Sequence, residues 1–504
     1  MDPSRTSTVA DVMRRSALRY PARTALLFEE RTWTYRELDD AVSRASRVLL
    51  DLGLEKGDRV AAYGKNSDAY LIAFLACARA GLVHVPVNYN LEGEELAYLL
   101  DQSGSRVVLV DPALAGAVDA LDHPPEQVVS LRNVEGSLLE RSCAGEVPRI
   151  EVDLGDADLV QLLYTSGTTS RPKGAEMTHR ALVHEYLSCI LALEFSEHDA
   201  PLHPMPLYHS AGMHVFLLPY LAVGATNHLM EAPDVPEVLR RIEADRIGSL
   251  FLAPTVWVPL SNAPEFATRD LSSLRKAYYG ASIMPVPVLE RLQEALPELG
   301  FYNCFGQSEV GPLATVLRPE EHAERPESCG RSVLFVELRV VDDEGVDVEA
   351  PGTGEVIYRS PQLCEGYWAN PEATEEAFRD GWFHSGDLVR IDEEGYITVV
   401  DRIKDVINTG GVLVASREVE DALYTHPSVA EAAVIALPHE TWIEAVTAVV
   451  VLKDEVSSDE LIGHVKGRLA GYKVPKAVHV VDELPRNASG KLLKRVLRDE
   501  LVAG

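Results

Sequence analysis

The sequence predicts an α/β protein with a large N-terminal domain and a smaller α+β domain at its C-terminal end. Three observations lead to this prediction. Buried strands alternate with helices through most of the chain, short strands with turn signals follow from about Phe335, and the pattern changes again after Asp401. The chain of 504 residues has room for about two to four domains of ordinary size.

The N-terminal part has the rhythm of βαβ units. Asp58–Ala62 is predicted as a strand, Ala69–Ala80 as a buried helix and Leu82–Val87 as the next strand. Such alternation favours a parallel sheet with helices on its faces. Further elements of this kind are a helix at Glu94–Asp101, a strand at Arg106–Val110, and a second run with a helix at Val238–Asp245 and a strand at Ser249–Ala253.

The pattern in the later part of the chain indicates a subdomain and a separate domain. Short alternating strands at Val336–Val341, Gly354–Arg359 and Tyr396–Val400 indicate a small β-barrel-like subdomain. After Asp401 a separate α+β domain is expected. Its predicted elements are a helix at Arg417–Tyr424, strands at Val429–Leu437 and Val446–Leu452, and a helix at Asp459–Ala470.

Composition excludes several classes of protein. The net charge of −31 argues against nucleic acid and against an anionic membrane surface. No apolar run is long enough to span a membrane, and the first residues do not have the pattern of a signal peptide. The six scattered cysteines contain no C-x-x-C pair, which favours buried free thiols in a reducing cytoplasm.

One polar loop points to phosphate chemistry. The apolar run Leu159–Tyr164 is predicted as a buried strand, and the string TSGTTSRPKG follows at 165–174. Thr178 is a suitable N-cap for a helix near His179, so the loop is expected to join a strand to a helix. Its hydroxyls, glycines and Lys173 suit a phosphate, although the Walker spacing is absent. An ordinary polar turn is the alternative.

The same string resembles the phosphate loop of the adenylate-forming superfamily, which contains acyl-CoA synthetases, adenylation domains of peptide synthetases and beetle luciferases. The resemblance extends along nearly the whole chain, and an acyl-CoA synthetase is the best match. The other motifs that carry it, in order, are TWTYREL at 32–38, AGLVHVPV at 80–87, FGQSE at 305–309, GYW at 366–368, SGDL at 385–388, DRIKDVINTGG at 401–411, YKVP at 472–475 and PRNASGK at 485–491.

This resemblance implies a two-step ligase. A carboxylic acid would react with ATP to give acyl-AMP and pyrophosphate, and the acyl group would then pass to coenzyme A. ATP, Mg²⁺ and coenzyme A are the implied cofactors. A carrier-protein phosphopantetheine is the alternative acceptor, and a homodimer is compatible with the family. The implied domains are residues 1–400, a hinge at 401–404, and a mobile C-terminal domain at 405–504 that carries a catalytic lysine.

The resemblance also assigns residues to the adenylation step. Lys491 would offset the repulsion between the substrate carboxylate and the α-phosphate. Glu309, with Thr165, would hold Mg²⁺. The residues expected to bind the nucleotide are Thr165, Ser166, Gly167, Thr168, Thr169, Lys173, Gly280, Ala281, Ser282, Asn303, Phe305, Gly306, Gln307, Ser308, Asp387 and Arg402.

The acyl and thiol sides are assigned in the same way. His209 would act as a gate between the acyl pocket and the thiol tunnel, Gly410 and Gly411 would line the tunnel, and Lys404 lies at the hinge. The expected pocket residues are His209, Gly212, Met213, Trp257 and Cys304. Cys304 stands where malonate-specific relatives carry Arg, which disfavours a dicarboxylate. Apolar linings suit fatty, aryl or other bulky acids, and a medium- or long-chain fatty acid is favoured.

Several alternatives remain at this point. Taken alone, Phe305 suits core packing, Asp387 a turn, His209 an ordinary core or surface position, and Gly410–Gly411 a hairpin. Ser170 replaces a glycine of the family's loop, at a cost of ~1 kcal/mol if φ must be positive. A luciferase-like monooxygenase and a protein limited to binding or forming the acyl-adenylate are the rival functions.

Overall fold

The computed structural model describes residues 7–503 apart from 126, 166–170, 283, 285, 411, 440–441 and 487–491, and it leaves the side chains of Pro287 and Ala503 undescribed. Its α-helices are α1 Val9–Arg19, α2 Tyr35–Asp51, α3 Asp68–Ala80, α4 Gly93–Ser103, α5 Ala115–Asp119, α6 Leu138–Cys143, α7 His179–Ala192, α8 Leu218–Val223, α9 Val235–Ala244, α10 Pro254–Asn262, α11 Val286–Ala295, α12 Pro371–Ala377, α13 Ser416–Tyr424, α14 Ser458–Lys466 and α15 Lys494–Ala503.

The strands form four sheets. They are β1 Thr24–Phe28, β2 Arg31–Thr34, β3 Arg59–Tyr63, β4 Val83–Val87, β5 Ser105–Val110, β6 Gln127–Ser130, β7 Leu159–Thr165, β8 Lys173–Thr178, β9 Pro201–His203, β10 Asn227–Leu229, β11 Ser249–Phe251, β12 Lys276–Gly280, β13 Gly300–Phe305, β14 Thr315–Leu317, β15 Arg331–Ser332, β16 Glu337–Val341, β17 Gly352–Arg359, β18 Phe378–Arg379, β19 Trp382–Ile391, β20 Ile397–Arg402, β21 Ile407–Thr409, β22 Val412–Val414, β23 Val429–His439, β24 Ile443–Leu452 and β25 Ala477–Val480.

A six-stranded sheet has the order β6-β5-β3-β4-β7-β8, and it is parallel except for the last pair. Helix α3 joins β3 to β4. It begins where the Ser67 hydroxyl accepts a hydrogen bond from the Tyr70 N–H, and it ends at Gly81, whose φ of 73° suits glycine. Every residue of α3 except Arg79 is buried. The predicted βαβ unit is confirmed.

A nine-stranded sheet has the order β15-β14-β13-β12-β11-β9-β10-β1-β2. Its central strands, from β13 to β1, are parallel neighbours. The predicted helix and strand near 238–253 are confirmed as α9 and β11. The carboxyl ends of β12 and β13 carry Gly280 and Phe305, and open parallel sheets bind ligands at this edge.

The prediction that the phosphate loop joins a strand to a helix is wrong. Residues Lys173–Thr178 form β8, which pairs antiparallel with β7, so the loop is the tip of a hairpin. Gly174, Ala175 and Met177 are buried against the neighbouring strand, and this packing favours extended backbone. Thr178 does cap helix α7, because its hydroxyl accepts a hydrogen bond from the Ala181 N–H at 3.1 Å.

The predicted fold class is confirmed in the rest of the chain as well. A third sheet has the order β16-β17-β19-β18 with β20 beside β19, and a fourth has β22-β21-β24-β23 with β25 beside β24. Helix α14 ends at Lys466, not at the predicted Ala470. Glycine follows at position 467, and its low helix propensity favours an end at this point.

The chain divides into two compact units. Among the described residues, the first contains those within 7–165, 172–338 and 358–383, and the second contains those within 339–357 and 384–503. The predicted boundary near residue 401 and the mobility of the C-terminal domain stay predictions.

All six cysteines are free. Five are buried, but Cys143 is exposed. The expectation that every thiol is buried is therefore wrong at this position, because Cys143 ends the short surface helix α6.

Candidate active site

Strands β7 and β8 with the loop between them are named here the phosphate hairpin, and the structure describes both strands. Thr165, the last residue of β7, pairs with Lys173, the first residue of β8. The Lys173 ammonium lies 5.1 Å from the centre of the Tyr367 ring, within the range of a cation–π contact. The predicted ligands Ser166, Gly167, Thr168 and Thr169, and the unusual Ser170, lie outside the described residues.

The predicted metal ligand lies just beyond strand β13. Gly306 has a φ of 155°, and a Cβ there would clash with the Pro312 carbonyl, so only glycine fits. A 3₁₀ turn follows at Ser308–Val310. The Glu309 side chain is buried, and its Oε1 accepts a hydrogen bond from the Tyr367 hydroxyl at 3.0 Å. Gln307 lies directly before this turn.

Strands β12 and β13 approach each other closely at the predicted adenine and acyl residues. Gly280 is the register partner of Cys304, and a Cβ on Gly280 would overlap the Cys304 carbonyl oxygen. Ala281 follows with a φ of 63°, a strained conformation for alanine. Ser282 is exposed, and the Asn303 amide donates a hydrogen bond to the Ser328 carbonyl at 2.9 Å. Strained backbone is common at ligand-binding edges.

The predicted acyl-gate residues lie around a π-helix at Ala211–Leu217. His209 is half-buried, and its Nδ1 accepts a hydrogen bond from the Ala211 N–H at 3.4 Å. Gly212 and Met213 belong to the π-helix and are buried. Ser210 joins this region to the predicted nucleotide site, because its hydroxyl lies 2.9 Å from that of Ser308. π-Helical turns are rare and concentrate at functional sites.

The remaining acyl-pocket residues are buried and uncharged. The Trp257 indole is fully buried, and its N–H donates a hydrogen bond to the Tyr278 carbonyl at 3.1 Å. The Cys304 side chain is also buried, and burial raises the pKa of its thiol. Both side chains are therefore neutral and shielded from solvent.

The predicted ribose-binding pair lies in the second unit. Asp387 on β19 and Arg402 on β20 are register partners, and the Arg402 Nε lies 2.7 Å from the Asp387 Oδ1. Arg402 also donates a hydrogen bond to the Ser385 carbonyl at 3.0 Å. Lys404 follows in an exposed 3₁₀ turn at Ile403–Asp405. The Asp387 carboxylate is thus fixed by a neighbouring strand rather than by its own turn alone.

The thiol side is described only in part. Gly410 has a φ of 66°, lies in the turn between β21 and β22, and donates a hydrogen bond to the Trp442 carbonyl at 2.6 Å. It is therefore a hairpin residue, as the alternative interpretation supposed, and its tunnel role stays a prediction. Gly411 and Lys491 lie outside the described residues.

Two side chains near Glu309 were not identified from the sequence. Tyr367 belongs to the GYW string, but nothing in that string indicates that its hydroxyl reaches Glu309. Glu185 on α7 is fully buried, and burial raises the pKa of its carboxyl to about 8. It accepts hydrogen bonds from the Leu313 N–H at 3.0 Å and from the Gln362 amide at 2.6 Å, and so holds the loop after Glu309.

Comparison with known proteins identifies the family of the chain. The AMP-binding enzyme family profile matches residues 13–368, and the profile of the C-terminal domain of AMP-binding enzymes matches residues 418–491. A feruloyl-CoA synthase from an Amycolatopsis species is 37% identical over 96% of this chain and 97% of its own. The long-chain-fatty-acid–CoA ligase FadD13 of Mycobacterium tuberculosis is 34% identical over 93% of each chain.

Solved structures show the same fold. ATP-bound MatB from Rhodopseudomonas palustris superposes with a TM-score of 0.88 at 29% identity, over 97% of this chain and 98% of that one. The o-succinylbenzoate CoA synthetase MenE of Bacillus subtilis, bound to its acyl-adenylate intermediate, superposes with a TM-score of 0.87 at 30% identity and the same coverage.

Fold and site together define an adenylate-forming enzyme. The chain belongs to the AMP-binding enzyme family. Within that family it is an AMP-forming acid–CoA ligase, which uses ATP, Mg²⁺ and coenzyme A. Among the described residues, the helices are too short or too polar to cross a bilayer.

Proposed function

We propose that this ligase activates a bulky hydrophobic acid that carries an aromatic ring. The observation that carries the proposal is that the predicted pocket residues Met213, Trp257 and Cys304 are all buried and uncharged. A site of this kind suits an apolar acyl group and offers no charge for a second carboxylate. The similarity to a feruloyl-CoA synthase favours an aryl acid, and the weaker similarity to FadD13 makes a long-chain fatty acid the second candidate.

The residues present fit a magnesium–nucleotide complex. Mg²⁺ is usually held by one or two carboxylates together with phosphate oxygens, and Glu309 is a buried carboxylate whose Oε1 already accepts one neutral hydrogen bond. Among the described residues there is no cluster of three acidic, histidine or cysteine side chains, which agrees with a metal held mainly by the substrate. Bound Mg²⁺ would neutralise phosphate charge. Thr165 and Lys173 would bind phosphate oxygens, and Asp387 would accept hydrogen bonds from the ribose hydroxyls.

The proposed chemistry has two steps. The acid's carboxylate oxygen attacks the α-phosphorus of ATP, the bond to the β-phosphate oxygen breaks, and pyrophosphate leaves. Lys491 would offset the charge of the two anions during this attack. The thiolate of coenzyme A then attacks the acyl carbon and releases AMP. Rotation at Asp401–Lys404 would replace the Lys491 segment with the Gly410–Gly411 face between the steps.

A carrier-protein phosphopantetheine is a second acceptor to test beside coenzyme A. The proposed compartment is the cytoplasm, where free thiols stay reduced. A homodimer remains compatible with these proposals, and sedimentation of the purified chain would test it.

A panel of acids tests the substrate proposal. Pyrophosphate release and thioester formation are measured with hydroxycinnamic, arylacetic, medium-chain, long-chain and dicarboxylic acids, each with coenzyme A and with a holo carrier protein. The proposal expects the highest kcat/KM with an aryl acid and coenzyme A. A preference for alkyl chains would favour the fatty-acid candidate, and a preference for a dicarboxylate would contradict the neutral pocket.

A further inference from the structure

Residues 362–368, named here the brace, join two parts of the proposed nucleotide site. At one end the Trp368 N–H donates a hydrogen bond to the Gly174 carbonyl at 2.8 Å, which attaches the brace to β8 just beyond Lys173. At the other end the Cys364 N–H donates one to the Glu309 carbonyl, also at 2.8 Å. The backbone of the brace therefore contacts both the phosphate hairpin and the proposed metal ligand.

The Tyr367 side chain repeats this connection between two charged groups. Its hydroxyl donates a hydrogen bond to the Glu309 carboxylate, and its ring lies against the Lys173 ammonium. Burial, followed by the nearby Glu309 charge, raises the pKa of Tyr367, so the hydroxyl keeps its proton and remains a donor. One rigid ring thus orients the anion proposed for the metal and the cation proposed for the phosphates.

The backbone around Tyr367 is itself fixed. The Tyr367 N–H donates a hydrogen bond to the Thr374 hydroxyl at 2.9 Å, and its carbonyl accepts one from the Asn370 N–H at 3.0 Å. Gly366 has a φ of 157°, and a Cβ there would press against the Thr374 side chain. The ring therefore has little freedom to turn away from Glu309, and such preorganisation is what a precise ligand site requires.

We propose that Tyr367 is a positioning residue for adenylation, which sets the Glu309 carboxylate and the Lys173 ammonium at a fixed separation for the magnesium–ATP complex. This inference rests on the roles of Glu309 and Lys173 stated under the proposed function. Tyr367 is also part of a large apolar core, so simple packing is the competing explanation. The two explanations differ in whether the metal dependence of nucleotide binding changes.

Calorimetric binding of an α,β-methylene ATP analogue, in Mg²⁺ and in EDTA, separates them without turnover. Tyr367→Phe keeps the ring and removes the hydroxyl. It should weaken binding in Mg²⁺ roughly tenfold, the usual effect of losing a hydrogen bond to a charged group, and leave binding in EDTA within about twofold. Tyr367→Leu also removes the ring beside Lys173, so it should weaken binding a few-fold in EDTA as well.

Tyr35→Phe is the matched control. It removes a buried hydroxyl that donates to the Ala225 carbonyl at 2.7 Å, and it should leave both affinities unchanged. Equal losses with Tyr367→Phe in Mg²⁺ and in EDTA, or no loss in either, would overturn the positioning role.

Glu309→Gln separates this inference from the proposed function. If Glu309→Gln keeps the full gain in affinity from Mg²⁺, the metal role of Glu309 itself is wrong. If it loses that gain while Tyr367→Phe retains it, only the positioning role fails. In the double variant, Tyr367→Phe should cause no further loss in Mg²⁺, because its effect acts through Glu309.

Discussion

Two regions, the surroundings of Glu185 and those of Asp405, hold their acidic side chains in different ways. In the first unit, Glu185 is fully buried and is held by neutral donors from Leu313, Gln362 and Cys189. In the second unit, charges pair directly, as Arg498 does with Asp405 at 2.7 Å, and both partners keep some contact with solvent. Removing a buried carboxyl group leaves its donors unsatisfied, whereas a partly exposed ion pair contributes little.

This difference agrees with the role proposed for each region. Glu185 and the brace fix the loop that carries Glu309, and a metal–phosphate site needs such rigidity. The ion pair beside the proposed hinge, between Arg498 and Asp405, keeps contact with solvent and is expected to be weak enough to exchange. A segment proposed to rotate between two reaction steps is served by contacts of this kind.

Removing the proposed metal ligand is the strongest test of the rigid region. Glu309→Gln keeps the size of the side chain and removes the charge. We expect the rate of acid-dependent pyrophosphate release to fall on the order of 1,000-fold with the fold intact. Glu320→Gln, at an exposed position, is the control and should leave the rate unchanged. A loss below about tenfold would remove Glu309 from the reaction.

The buried Glu185 predicts a dependence of stability on pH. Its pKa rises from 4.5 to about 8 on folding because of burial. Between these values the unfolded chain is ionised at this position while the folded protein keeps the proton, so the free energy of unfolding decreases as pH rises. Between pH 5 and pH 8, the free energy of unfolding should therefore fall by about 3 kcal/mol less in Glu185→Gln than in the unchanged protein. Urea denaturation at each pH measures this difference.

Glu243→Gln, a change at a surface ion pair, is the control for this comparison. Its pH dependence should match that of the unchanged protein. Identical slopes for Glu185→Gln and the unchanged protein would mean that Glu185 is ionised in the folded state.

A smaller effect is expected for the proposed ribose acceptor. Asp387→Asn removes the negative charge of the proposed ribose acceptor and replaces the 2.7 Å ion pair with Arg402 by a neutral contact. The KM for ATP should rise about tenfold while the KM for the acid stays constant. Steady-state kinetics, with the exposed Asp343→Asn as the control, would show this. An equal rise in both KM values would indicate a general structural effect.

The smallest effect is expected at the hinge contact. Arg498→Ala removes the ion pair with Asp405 and should change the free energy of unfolding by less than about 1 kcal/mol. Arg495→Ala, at an exposed position on the same helix, gives the baseline. If Arg498→Ala lowered the free energy of unfolding by several kcal/mol, the contact with Asp405 would not be the weak one proposed here.

Much of the fold could be predicted because apolar periodicity is local. The predicted ends of helix α3 and of strands β3 to β5 differ from the structure by at most one residue. Strand β8 is not predicted because it ends at Thr178, which is also the cap of the next helix. Its extended form depends on pairing with β7, and the residues of β8 alone do not indicate that pairing.

The site was predictable where a motif carried it, and it was missed where only packing creates it. Lys173, Glu309 and Asp387 stand in motifs, and the structure places the first two against the same tyrosine. Tyr367 and Glu185 contact residues that are far from them in the sequence, and no local sequence pattern predicts such contacts. The roles of Lys491, Gly411 and the loop at 166–170 stay predictions because these residues lie outside the described structure.

The order of product release tests the central claim most directly. Enzyme, an aryl acid and MgATP are mixed first without coenzyme A, and coenzyme A is added later. The account predicts release of about one pyrophosphate per active enzyme before the addition, followed by thioester and AMP only afterwards. Pyrophosphate that appears only together with thioester, or thioester formed without AMP, would contradict activation through an acyl-adenylate.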